Sequence, residues 1–107
     1  MAKDFPSVLL VADGKSGDQE LELALLNEFK EYFELWQKKQ ASYGKGNIGA
    51  FGERGCLIRA YDKIQRLKKA LFDGQVETLE DEKLEDTWLD LLGYSAMGLM
   101  CHRGLWK

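Results

Sequence analysis

The chain has a single proline, at position 6, so nothing after it is barred from helix by a missing amide hydrogen. Histidine is nearly absent too. His102 stands alone, has no second imidazole with which to hold a metal, and is expected at the surface. The two cysteines, Cys56 and Cys101, lie far apart in sequence and match none of the paired spacings of zinc sites or redox motifs. They read as buried thiols in a reducing compartment. Long apolar runs are missing. The N-terminal stretch SVLLVA is too short for a signal-peptide core or a membrane span, so the chain is expected in the cytoplasm, with no membrane partner. A surplus of positive charge is also lacking. With a net charge of -3, the chain has no basic coat to displace counterions from nucleic-acid phosphates, which excludes general nucleic-acid binding.

What is present suffices for one folded domain. The 107 residues are 45% hydrophobic and 31% charged, enough apolar material to close a core and too much for a disordered chain. Periodicity points to an all-α compact helical bundle spanning 1-107, with an extended N-terminal arm over 1-17 and the bundle over 18-107. The arm, DFPSVLLVADGKSGD, contains GKS, the end of a phosphate-binding P-loop, but the earlier glycine of that motif would fall on Leu9, and the P-loop is rejected.

From about Asp18 to Ala41, Leu25, Phe29, Tyr32, Phe33 and Trp36 recur in steps of three and four, the mark of a helix with one apolar face. Ser16 or Asp18 is placed to cap its start. The Gly-rich loop GNIGAFGERG then separates the first two long helices. The second helix is expected from about Cys56 to Phe72, with Leu57, Tyr61, Ile64 and Leu71 inward and Asp73-Gly74 as its stop. A last helix, from about Leu79 or Leu84 to His102, is apolar nearly all round in WLDLLGYSAMGLMC and is expected to be the most enclosed element, with Trp88, Met97 and Met100 in the core.

Three groups of side chains carry possible chemistry. Asp86 and Asp90 are one helical turn apart on the last helix. Two carboxylates facing an interior need compensation from a divalent cation such as magnesium, from basic side chains, or from a raised pKa. In RAYDKIQR, Arg59, Asp62, Lys63 and Arg66 recur at helical spacing, either as a solvated stripe of ion pairs or, with Arg54 and the glycine loop at the helix start, as a phosphate site. The first helix offers Glu28 and Glu31 as carboxylates that can turn inward, and Tyr43 ahead of the glycine loop can stack a base or close the core.

The pieces KKQASYG, GCLIRAYDKIQRL and LEDTWLDLLGYSAMGL together resemble the nucleotide modification associated domain 1 family, known mainly from bacterial viruses and mobile elements. That family is similar in turn to the all-alpha NTP pyrophosphatases of the MazG and dimeric dUTPase types, helical bundles whose clustered carboxylates hold magnesium against a nucleoside triphosphate. The resemblance covers about residues 25 to 103. It implies a nucleotide or modified nucleotide as ligand, with Arg59, Asp62, Lys63 and Arg66 as the R..DK..R segment and Asp86 and Asp90 as the metal-holding pair. Glu28 or Glu31 with Asp90 would then be the catalytic carboxylates. The chain departs from the MazG pattern at Thr87, where a second Glu-x-x-Asp pair would need a glutamate. Three readings stay open: a magnesium-dependent pyrophosphatase, a binder that sequesters a nucleotide without turnover, and an oligomeric structural module. A homo-oligomer is expected, since a helical fold of this size has little room for a whole site.

Overall fold

The computed structural model describes residues 7-74 and 83-107; the connection QVETLEDE and the alternative start of the last helix at Leu79 lie outside them. The fold is all-α, with four helices and no strand among the described residues: α1, Gln19–Tyr43; α2, Gly46–Gly49; α3, Gly52–Leu71; α4, Leu84–His102. No helix among these residues is long and apolar enough to cross a membrane. The chain forms two compact units, Met1–Leu35 and Trp36–Lys107.

In the first unit, residues 7-13 carry no regular structure and a turn at Gly14-Gly17 leads into α1. Asp18 caps the helix, its Oδ1 accepting from the Leu21 amide at 2.9 Å. Glu22 reaches back from the first turn. Its carboxylate accepts from the amides of Gly14 and Ser16, each at 2.8 Å, and from the Ser16 hydroxyl. The GKS turn thus aims its amides at an anion supplied by its own helix. These bonds, the Ser16 hydroxyl foremost, hold the Glu22 pKa below its ordinary value of 4.5. Because the folded pKa is the lower one, the stabilisation is complete above the unfolded value and is lost as pH falls through the folded one. Acidification through the lowered Glu22 pKa should therefore release this turn, read as lost hydrogen-exchange protection, relative to the intrinsic rate at the same pH, at the Gly14 and Ser16 amides. In Glu22→Gln those amides should lack that protection on either side of the transition.

Along α1 no side chain is fully buried; Leu25, Phe29 and Phe33 are exposed, while Tyr32 and Trp36 are half-buried.

The second unit is built on α3 and α4. Glu53, in the first turn of α3, lies 3.0 Å from His102 in the last turn of α4, and Cys56 lies against Gly98. The pair is therefore an antiparallel hairpin of helices. Its seam is made mostly from small residues. Cys56, Leu67 and Ala70 share one stripe of α3 and are buried, and on α4 the buried Thr87 shares a face with Gly98, which lies against Cys56, so that the two backbones approach along one stripe of each helix. Both cysteines are free. Burial pushes the Cys56 thiol pKa up, and the neighbouring Cys101 adds to the rise; Cys101 itself is half-buried.

This seam corrects the expected inner face of α3. Leu57, Tyr61, Ile64 and Leu71 are all exposed, because α3 carries two apolar stripes about a quarter turn apart and α4 packs on the one with the smaller side chains. Hydrophobicity ranks the bulky stripe first; close approach selects the other. For the same reason α4 is not enclosed all round. Trp88 and Leu99 are exposed, Met97 and Met100 half-buried.

The glycine loop is more ordered than its composition suggests. Gly46–Gly49 forms a single helical turn that buries Ile48, and α3 begins at Gly52, four residues before the expected start. The chain's end packs back on this region. Trp106 donates its indole N–H to the Lys45 carbonyl at 3.0 Å, lies against Gly49, and meets Trp36 edge to face with centroids 6.3 Å apart. What turns the tail back is Gly104. Its φ of +70° suits glycine, and the bonds from Gly104 N to Cys101 O and from Leu105 N to Met100 O close the end of α4.

Candidate functional site

The helical spacing of RAYDKIQR places Arg59, Asp62, Lys63 and Arg66 along the flank of α3 next to the α4 seam. They line one open cleft of ≈ 290 Å³, and α4 contributes Tyr94 to it. The Arg59 guanidinium lies 5.9 Å from the centre of the Tyr94 ring, a cation–π distance that steadies a long side chain at the mouth of the cleft. Three cations, one carboxylate and one aromatic face thus converge within unit two.

Asp90 is joined to the cleft through its pair with Lys63. Its Oδ1 is 2.8 Å from Lys39 Nζ and its Oδ2 is 3.0 Å from Lys63 Nζ. The Asp90 carboxylate and the Lys63 ammonium are mostly buried, whereas Lys39 is about half exposed. A carboxylate enclosed to this degree needs such partners, since its desolvation is costly unless opposite charge and hydrogen bonds replace the lost water. Asp90 therefore ties the C-terminal part of α1 and the middle of α3 to α4.

The other expected site residues are not among those lining the cleft. Asp86 is exposed on α4, one turn before Asp90. Glu28 and Glu31 are exposed on α1 in the first unit. Tyr43 and Arg54 are exposed and are not among the residues lining the cleft. None of the loop glycines lines it either, so the glycine run is a connector anchored by Ile48 rather than a phosphate cradle.

The fit to a magnesium ion can be judged from the donors. Both Asp90 oxygens are taken by lysines, Asp86 faces water, and no group of three or more His, Cys, Asp or Glu side chains able to hold a metal ion occurs among the described residues. These residues do not make a magnesium seat, which needs hard oxygen donors that are not already neutralised. Thr87 gives a physical reason for the departure from the pyrophosphatase pattern. It is completely buried, with its hydroxyl donating to the Lys83 carbonyl at 3.3 Å; a glutamate there would have its carboxylate in the seam between α3 and α4.

Two participants were missed from the sequence, Tyr94 and Lys39. Tyr94 follows Asp90 by four residues and so lies on the same helical face, which was the available signal. Lys39 had none, because its role depends on where α1 passes α4. No family model, curated protein or solved structure matches the chain.

Proposed function

We propose that the chain binds a nucleotide through its phosphates in the cleft of Arg59, Asp62, Lys63, Arg66 and Tyr94. The observation that carries this is the convergence of three cations on one wall of a single cleft. Like charges brought that close on one helix repel, and a polyanion placed among them relieves that repulsion. Arg59 and Arg66 supply forked donors suited to phosphate oxygens. Lys63, held by Asp90, adds charge rather than reach. The cleft is larger than a bare phosphate requires and sits near the lower end of small-molecule sites. Its Tyr94 ring offers a stacking surface, and Asp62 an acceptor for a sugar hydroxyl or an amino group of a base. The resemblance to the nucleotide modification associated domain 1 family supports the same residues as the recognition segment. The reading is binding; no hydrolytic step is assigned to these side chains.

Calorimetry with inorganic pyrophosphate and nucleoside mono-, di- and triphosphates, each with magnesium and with chelator, tests it. Affinity should rise with phosphate number, persist in chelator and fall with salt. Arg59→Ala should weaken it roughly ten- to a hundred-fold, the loss of a charged hydrogen bond of about 1.5-3 kcal/mol. If no phosphate compound binds, or Arg59→Ala binds as tightly as the parent, the proposal fails.

A further inference from the structure

We infer that the outer stripe of α3 is a self-association surface, on which a second copy of the chain seats the same stripe of its own α3. Six large apolar side chains form it: Leu57, Ile58, Tyr61, Ile64, Leu71 and Phe72, each between 48% and 87% exposed. They recur at helical steps between Leu57 and Phe72, on the flank away from Arg59, Lys63 and Arg66, with Ile58 at the edge of the stripe beside Asp62. At roughly 80-200 Å² of exposed surface each, they offer on the order of 700 Å², close to the about 800 Å² per partner that a stable interface takes and beyond the patches a monomer ordinarily shows.

The stripe suits a copy of itself. Lys68, a charged residue within it, already has Asp73 at 3.3 Å, so pairing two copies brings that charge into the contact with its own counter-ion; Arg54 stands at the stripe's N-terminal end. About a twofold axis near Tyr61 and Ile64, two α3 helices run antiparallel, their dipoles oppose, and the aromatic of each packs beside the branched aliphatic of the other. The cleft, on the flank away from the stripe, stays open in both copies. The inference is independent of what the cleft binds.

Light scattering coupled to size exclusion, on the purified full chain over a concentration series, decides it. The expected mass is twice that of one chain. Tyr61→Glu and Ile64→Glu should each shift the protein to the mass of one chain, with far-ultraviolet dichroism unchanged, because neither side chain is buried within one copy. Trp88→Glu, exposed on α4, should leave the doubled mass intact. Should either glutamate lower helicity, Tyr61→Ala and Ile64→Ala replace it, each expected to raise the dimer dissociation constant at least ten-fold. A single-chain mass at every concentration overturns the inference. So does a doubled mass that survives the α3 substitutions unchanged.

Discussion

Asp90→Ala should lower the melting temperature by roughly 10-20 °C and cost about 2-3 kcal/mol of stability. The reasoning turns on burial. An exposed ion pair is worth less than about 1 kcal/mol, and breaking a fully enclosed one costs about 3-5 kcal/mol. The Asp90 and Lys63 side chains are only 18% and 16% exposed, whereas Lys39 is 46% exposed. Removing Asp90 thus takes a close counter-ion from an ammonium that has little water, and a second from one that can recover it. Thermal denaturation followed by dichroism measures the loss. Asn in place of Ala keeps one acceptor and should cost less than half as much. Asp90→Leu combined with Lys63→Met should recover most of the stability, since a well-packed apolar pair replaces a buried ionic one at little cost. A carboxylate kept only for chemistry would behave in the opposite way: Asp90→Ala would melt as the parent does and lose activity alone.

The same residue shows where sequence reasoning reaches. That an aspartate facing the interior of α4 requires compensation follows from its spacing and from the cost of desolvation. Which compensation is used does not, because Lys39 meets Asp90 through the path of α1, a fact of tertiary packing. Local signals fared better. The cap at Asp18, one of two candidates beside Ser16, and the stop at Asp73-Gly74 depend on a few neighbouring residues and were readable to that extent. The cleft's four α3 residues were readable too, since one helix carries them all. The inner face of α3 was not. Its two apolar stripes have equal periodicity, and only the approach of another helix says which is used. Glycine composition misled about the loop: Gly46–Gly49 is helical because Ile48 gains a buried position, which outweighs the poor propensity of its neighbours.

Gly98 is the position where that close approach can be tested most severely. A methyl built there would meet the Cys56 Cβ at 3.3 Å, and Cys56 is buried on α3 in the seam, so it has no open side into which to turn. Gly98→Ala gains about 1 kcal/mol of helix propensity while asking the two helices to part by a few tenths of an ångström. The two effects oppose, and the net change should be within about 1 kcal/mol of zero. Gly98→Val keeps less of the propensity gain and adds two γ carbons that a helix holds in one rotamer. It should cost about 2-3 kcal/mol, a sizeable share of the 5-15 kcal/mol that a domain has in all. Denaturant unfolding of the three proteins reads the series directly. A steep fall from Ala to Val places the limit at the α3-α4 contact, and because Cys56 loses its cover as the helices separate, the Val variant should also react faster with a thiol reagent. Equal stability for Val and Gly would mean that the seam is loose enough to admit a branched side chain, and the choice of the small-residue stripe over the bulky one would then need another cause.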